Sequence, residues 1–288
     1  MTFGLNVNPQ SKRPETAPTA RQIIGWGHRT GNPVKLSMSA GELLGESDNA
    51  LDDSQLRESI DILISLGGDG TILTSARLVA GTQIPIFGVN VGTLGFLTES
   101  SLADMESNLE RIVAGDYQVD ERMTLETRLA GSEIPAALNE VVIDRGATSR
   151  IITIDLFSDE QPIANYRADG LIIATPTGST AYSLSVGGPI LAPGMKAIIV
   201  SPISAFGLFN RPFVFADDTE LTVRVYSNHG RSALTIDGQF TLELSESAEF
   251  RICKGKGTVK LIRFKNSSFY KVIRQKLNWG RAPLVAPE

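Results

Sequence analysis

The chain has 288 residues, of which 42% are hydrophobic and 20% charged, the composition of an ordinary globular protein. Its net charge of −5 argues against a protein that coats nucleic acid or an anionic membrane, so we expect neither as a partner. One cysteine excludes an internal disulfide, and with only two histidines a Cys/His zinc site is not expected. The lack of a signal peptide or a long apolar run predicts a cytoplasmic location.

The first 60 residues alternate strand-like and helix-like segments. Residues 2–7 are a short apolar run that stops at Asn-Pro, which predicts a first strand. Residues 17–26 carry apolar side chains at helical spacing. Residues 40–59 are polar and rich in acids, which is typical of a solvated loop and a surface helix.

A strand, a glycine turn, a helix and a second strand then follow without spare residues. Residues 61–66 (DILISL) predict a buried strand, 67–71 (GGDGT) a turn, 72–81 (ILTSARLVAG) a helix and 84–90 (IPIFGVN) a parallel strand. Ligands of such open sheets bind beyond the carboxyl ends of the strands. We therefore expect GGDGT and a second glycine turn, GTLGFL at 92–97, to line one crevice.

From about residue 121 the pattern changes to short β-type runs separated by turns, and the last segment, SFYKVIRQKLNW, returns to helical spacing. We expect an α/β N-terminal domain with an open, mostly parallel sheet over residues 1–120 and a β-rich C-terminal domain over 121–265. A C-terminal helix within 266–288 should pack back on the first domain. The active site is expected in the crevice between the two domains.

The GGDGT turn has the chemistry of a phosphate site. Glycines 67, 68 and 70 let bare backbone amides approach an anion, and the positive end of the following helix favours phosphate there. Asp69 places a carboxylate in this cradle, where it would repel phosphate unless it accepts a proton from an attacking hydroxyl or helps to hold Mg²⁺. The alternative is a tight turn with a helix-capping Asp or Thr.

A second motif, TPTGSTAYSLSVGGPI at 175–190, concentrates hydroxyl side chains around a proline and a glycine. Such a segment suits a ribose or an amide-bearing ring, and it suits no metal. The alternative is a Ser/Thr-rich turn that leads into a helix. The hydroxyl-bearing residues are Thr175, Thr177, Ser179, Thr180 and Tyr182.

GGDGT, Asn139-Glu140 and the block at 169–190 together resemble the NAD kinase family in order and spacing, from about residue 60 to residue 240. GGDGT also occurs in lipid kinases and, in a close form, in 6-phosphofructokinases, but those lack the TPTGSTAYS block. The resemblance implies transfer of the γ-phosphoryl group of ATP to the 2′-hydroxyl of the adenosine ribose of NAD, which gives NADP. It also implies Mg²⁺ held through the ATP phosphates, and a homodimer or homotetramer.

The resemblance assigns roles residue by residue. Asp69 would be the catalytic base that activates the 2′-hydroxyl, and Gly67, Gly68 and Thr71 would bind the ATP phosphates. Asp169 would hold the nicotinamide carboxamide, and Asp237 would be a further acid near the site, often supplied by a neighbouring subunit. The full set implied to bind NAD is Gly70, Phe96, Asn139, Glu140, Asp169, Thr180, Ala181, Tyr182, Ser185 and Asp237.

Alternatives remain at this stage for function and for single residues. Another GGDGT-type kinase, with a lipid or sugar-phosphate acceptor, and a non-catalytic NAD(P)-binding sensor are the rival functions. Asn139-Glu140, Asp169-Gly170 and Asp237-Gly238 could be simple turns, and Phe96 could belong to the core. The sequence does not show which of Lys12, Arg13 or Arg21 contacts the triphosphate, nor whether the nine cations between residues 251 and 276 form a solvated face or an anion site.

Overall fold

The computed structural model describes residues 1–92, 95–147, 150–207, 210–227, 231–265 and 267–279. The chain divides into two compact units. One comprises residues 1–120 together with 260–288, and the other comprises 121–259. Within the described ranges no helix is both long and apolar enough to cross a membrane.

The first unit alternates strands and helices along the chain. Its elements are β1 (Phe3–Val7), α1 (Thr16–Thr30), β2 (Val34–Ser37), α2 (Met38–Leu44), a 3₁₀ turn (Ser47–Asn49), β3 (Ala50–Leu51), α3 (Asp53–Ser59), β4 (Ile62–Gly67), α4 (Asp69–Leu78), β5 (Ile86–Asn90), β6 (Ser100–Ser101) and α5 (Met105–Val113).

The strands of this unit form a parallel sheet. Its order is β3-β2-β1-β4-β5, and β6 also pairs in parallel with β5. The three central strands are buried over almost their whole length, which explains their continuous apolar runs. Their side chains pack with those of α1 and α5 in one core. In this core the rings of Trp26 and Phe3 pack edge to face, with their centroids 5.4 Å apart.

The second unit consists almost entirely of strands. After β7 (Gln118–Arg128), in which the chain enters this unit, its elements are β8 (Glu140–Asp144), β9 (Ile152–Ser158), β10 (Gln161–Ala168), β11 (Gly170–Ala174), a 3₁₀ turn (Gly178–Thr180), α6 (Tyr182–Ser185), β12 (Ala197–Ile203), β13 (Phe213–Ala216), β14 (Leu221–Tyr226), β15 (Ala233–Ile236), β16 (Phe240–Glu243) and β17 (Ser247–Arg263).

Two antiparallel layers build this unit. One has the order β10-β9-β14-β17 and the other β13-β12-β11-β8-β15-β16. Alternate residues of the two layers, such as Ile154 and Val223 in one and Ile173 and Val200 in the other, share one buried core. The chain returns to the first unit at the end of β17 and continues into the last helix, α7 (Phe269–Leu277). The predicted fold class, a mostly parallel α/β domain followed by a β-rich domain, is confirmed.

Two local predictions need correction. The GGDGT segment is not a five-residue turn, because β4 ends at Gly67 and α4 begins at Asp69, which leaves Gly68 alone between them. The acid-rich stretch at 40–59 contains the short strand β3 as well as helices, and β2 precedes it. β2 and β3 have four and two residues, too few to show a strand periodicity in the sequence.

Candidate active site

The turn between β4 and α4 presents the amino end of a helix beside two strand ends. Gly67 is paired with Asn90 across the sheet, and its carbonyl accepts a hydrogen bond from Val91 N at 3.3 Å. A Cβ on Gly67 would collide with the side chain of Thr71, so only glycine fits there. Helix α4 has no side-chain cap at Gly68. Its first turn therefore retains the positive end that favours a phosphate.

Asp69 is oriented by the second glycine motif. Its Oδ2 accepts a hydrogen bond from Phe96 N at 2.8 Å, and its Oδ1 accepts one from Leu97 N at 3.0 Å. A Cβ on Gly95 would collide with this carboxylate, so the glycine permits the close approach. The two glycine motifs therefore meet at one carboxylate, which retains lone pairs to accept a further proton or hydrogen bond.

Phe96 is half-buried. The ammonium group of Lys276, on α7, lies 4.9 Å from the centroid of its ring. This distance is that of a cation–π contact. The ring therefore has one face next to a positive charge, on the segment whose amides hold Asp69.

In the second unit, Asp237 fixes the entry to β8. Its carboxylate accepts hydrogen bonds from the backbone N–H groups of Leu138, Asn139 and Glu140 at 2.9, 2.8 and 3.0 Å. Asp237 and Gly238 both adopt left-handed φ values, +51° and +65°, in the loop between β15 and β16. Asp237 is thus a turn residue, as one alternative held, and its buried side chain also positions the Asn139-Glu140 pair.

Glu140 is a buried carboxyl group with an unusual environment. The residue is 6% exposed, and its Oε2 has no hydrogen-bond partner within the described residues. Burial, followed by the neighbouring charge of Asp237, raises the pKa of Glu140 from 4.5 to about 7, against a smaller opposing effect of the Tyr182 backbone N–H. Glu140 can therefore exchange a proton near neutral pH.

The raised pKa predicts a pH-dependent stability. Between pH 4.5 and 7 the folded chain keeps the Glu140 proton that the unfolded chain loses, so this group's contribution to the unfolding free energy falls as pH rises and is lost above pH 7. The unfolding free energy of Glu140→Gln, taken relative to that of the wild type, should therefore be about 3 kcal/mol higher at pH 8 than at pH 4. Urea unfolding at both pH values would measure the gain. Glu133→Gln, at an exposed glutamate of the same unit, should show none.

The hydroxyl-rich block divides into a structural part and an accessible part. Thr175 and Ser179 are fully buried and bond within the protein. Thr175 Oγ1 donates to Leu138 O at 2.6 Å, and Ser179 Oγ donates to Pro176 O at 2.6 Å. Thr177 is also buried and accepts a hydrogen bond from an arginine. These three hydroxyls therefore bond within the fold, as in the Ser/Thr-rich turn that was the alternative for this block.

The accessible part follows on the 3₁₀ turn and α6. Thr180 and Ala181 are half-buried, while Tyr182 and Ser185 are exposed. Gly178 packs so closely on the backbone of Asn139 that a Cβ would collide with it. The second unit therefore brings Asn139, Glu140, Asp237 and the 180–185 segment together.

Asp169 lies elsewhere in the second unit. Asp169 immediately precedes β11, whereas Glu140 pairs with Ala174 at the other end of that strand. At about 3.3 Å per residue, the backbone positions 169 and 174 are about 16 Å apart. The carboxylate of Asp169 forms an ion pair with Arg145 at 3.1 Å. The structure thus separates Asp169 from the cluster around Asn139. The role implied for it concerns the nicotinamide, which is the opposite end of the dinucleotide from the adenosine.

Sequence reasoning left Arg13 as one of three candidates for the phosphate cradle and did not single out Arg263. Arg13 Nη1 donates to Val91 O at 2.9 Å, and Val91 N in turn bonds Gly67. Arg263 contacts the 96–99 segment through three hydrogen bonds, two of them to backbone carbonyls. No local pattern marks either arginine, because both contacts join segments that are distant in the sequence.

Comparison with known proteins gives two family matches. Residues 13–117 match the family described as the ATP-NAD kinase N-terminal domain, and residues 138–264 match the ATP-NAD kinase C-terminal domain. The NAD kinase of Geotalea daltonii is 43% identical over 271 residues, which cover 93% of this chain and 95% of that protein. The NAD kinase of Heliobacterium modesticaldum is 39% identical over 285 residues, which cover 97% and 99%.

Two solved structures share the fold of this chain. The crystal structure of yeast NADH kinase complexed with NADH aligns with a TM-score of 0.88 at 22% identity and covers 100% of this chain and 90% of that one. An NAD kinase from Archaeoglobus fulgidus in complex with ATP aligns with a TM-score of 0.78 at 25% identity and covers 96% and 99%. With both domains matched in order and relatives above 30% identity along almost the whole chain, this protein belongs to the NAD kinase family.

Proposed function

We propose that this chain transfers the γ-phosphoryl group of ATP to the 2′-hydroxyl of the adenosine ribose of NAD, giving NADP and ADP. The observation that carries the proposal is Asp69, a carboxylate at the first turn of α4 that two backbone amides orient beside a glycine phosphate cradle. Relatives named NAD kinase along almost their entire length support it and do not favour a lipid kinase, a sugar-phosphate kinase or a non-catalytic sensor.

In this mechanism Asp69 accepts the proton of the 2′-hydroxyl. The hydroxyl oxygen forms a bond to the γ-phosphorus while the bond from that phosphorus to the β,γ-bridging oxygen breaks, and ADP leaves. Phosphoryl transfer needs alignment and charge neutralisation more than covalent help from the protein. The amides near Gly67, Gly68 and Thr71 would offset the negative charge of the phosphates.

Mg²⁺ belongs with the nucleotide in this proposal. Within the described residues no three His, Cys, Asp or Glu side chains cluster to hold a metal ion, so the ATP phosphates would supply most of its ligands. Asp69 is the nearest carboxylate to the cradle that could contribute. The ion would neutralise charge on the transferred group.

The acceptor, NAD, would be bound by residues of the 92–97 turn and of the second unit. Asn139 and Glu140 would bind the adenosine, Phe96 would pack near its adenine, and Tyr182 would face a ring. Asp237 would act by holding the Asn139-Glu140 backbone. The proposed NAD-binding set is Gly70, Phe96, Asn139, Glu140, Asp169, Thr180, Ala181, Tyr182, Ser185 and Asp237.

On the donor side we assign Arg13 to the triphosphate. Its guanidinium donates to the carbonyl of Val91, whose N–H donates to Gly67 O. Within the described residues Arg13 forms no ion pair. Arg13→Ala should raise KM for ATP about tenfold with little change in KM for NAD, because a charge-assisted hydrogen bond contributes about 1.5–3 kcal/mol. Steady-state kinetics with each substrate varied would measure this. Arg29→Ala, at an exposed arginine paired with Glu106, should leave both constants unchanged.

A homodimer or homotetramer in the cytoplasm completes the proposal. The single cysteine supports a reducing compartment. Light scattering coupled to size-exclusion chromatography would determine the assembly.

The function itself is tested by incubating purified protein with NAD, ATP and Mg²⁺ and measuring NADP with an NADP-specific dehydrogenase. Stoichiometric formation of NADP and ADP would support the proposal. NAD binding without NADP formation would favour the sensor function. Parallel reactions with polyphosphate as donor and NADH as acceptor would define the substrate range.

A further inference from the structure

One largely buried arginine contacts the segment that orients Asp69. Arg263 ends β17, and its side chain is only 12% exposed. Its Nη2 donates to Phe96 O at 3.3 Å, and its Nη1 donates to Thr98 O at 3.2 Å and to Glu99 Oε2 at 3.0 Å. Five N–H donors on a rigid plane let one guanidinium hold several acceptors at once.

The contact with Phe96 O bears directly on Asp69. Phe96 O and Leu97 N belong to the same planar peptide group, so one peptide accepts a hydrogen bond from Arg263 and donates one to Asp69 Oδ1 at 3.0 Å. A cation at the carbonyl end polarises the group and strengthens the N–H as a donor. Fixing the carbonyl also fixes the direction in which that N–H points.

Glu99 in turn fixes Arg263. Its side chain is 5% exposed, and it accepts hydrogen bonds from Phe264 N at 2.9 Å and Ser267 Oγ at 2.9 Å in addition to the ion pair with Arg263. A pair with this many partners has little freedom to move. The network therefore connects the end of β17 to Asp69 through a single peptide.

We propose that Arg263 and Glu99 are positioning residues for the phosphoryl transfer, which act by holding the 96–97 peptide against the Asp69 carboxylate. The inference rests on the proposed function, in which Asp69 accepts the proton. It also gives a role to one cation of the basic run at 251–276, which had none from sequence. Two other cations of that run, Arg251 and Lys254, form exposed ion pairs and serve as surface charges.

The kinetic test is a double-mutant cycle with Asp69. Arg263→Lys keeps the charge but loses the guanidinium fork. It should lower kcat about tenfold while KM for NAD stays within about twofold of the wild-type value. In an Asp69→Asn background the same substitution should leave the residual rate unchanged, because the group it positions is gone. An equal loss in both backgrounds would overturn the inference. Arg29→Lys, at an exposed ion pair of the same unit, is the control.

Amide hydrogen exchange tests the geometry without relying on activity. Arg263→Lys and Glu99→Gln should each speed exchange of the Leu97 amide about tenfold, whereas Arg29→Lys should not. Unchanged exchange at Leu97 in both variants would overturn the inference even if kcat falls. Absence of NADP from the wild type would overturn the proposed function instead, and the exchange result would still show whether Arg263 orients the peptide.

Discussion

The Asp69→Asn variant should form NADP at a kcat lower by about 10²–10⁴-fold while it binds NAD with nearly unchanged affinity. Asparagine is almost isosteric but cannot accept the proton of the 2′-hydroxyl, and a positioned general base contributes a factor of this size. Its amide group can also accept only one of the two N–H groups, from Phe96 and Leu97, that now bind the carboxylate. The loss should therefore fall on the chemical step.

The measurement is steady-state kinetics beside calorimetric titration of NAD. Asp53→Asn is a matched control, because Asp53 occupies the first position of α3 as Asp69 does of α4. It should retain full activity. A variant at Asp69 with normal kcat and weakened NAD binding would assign the carboxylate to substrate binding and would contradict the proposed mechanism.

The second large effect is expected at Asp237. Asp237→Ala leaves the buried N–H groups of Leu138, Asn139 and Glu140 without their acceptor, and each unsatisfied group costs about 1–3 kcal/mol. The second unit should therefore lose about 3 kcal/mol or more of stability. KM for NAD should also rise, because the Asn139-Glu140 backbone is no longer held.

Urea unfolding monitored in the second unit would measure the loss of stability at Asp237. Asp144→Ala provides the comparison, since Asp144 accepts an exposed backbone hydrogen bond from Gly146 N at 2.7 Å, and its loss should cost less than about 1 kcal/mol. Equal stability of the two variants would mean that the three amides find other partners. The hydrogen-bond network around β8 would then not be the reason for the buried acid.

Several elements were predictable because their signals are local. The buried strands β1, β4 and β5 were placed within two residues, since each is a mainly apolar run with Gly, Pro or Asn at or near an end. The family was predictable too, because its motifs are contiguous blocks. The start of α4 was not, since Asp69, Gly70 and Thr71 have helical geometry while their composition is that of a turn.

The sequence by itself determined the fold class, the family and the chemical character of each motif, because periodicity, turn residues and contiguous motifs are read along the chain. Only the tertiary structure decided which atoms meet. The carboxylate of Asp69 accepts hydrogen bonds from backbone amides 27 and 28 residues further along the chain. The carboxylate of Asp237 accepts one from Asn139 N, 98 residues earlier. Such contacts depend on strand order and register, which bring distant segments together and which no local spacing encodes.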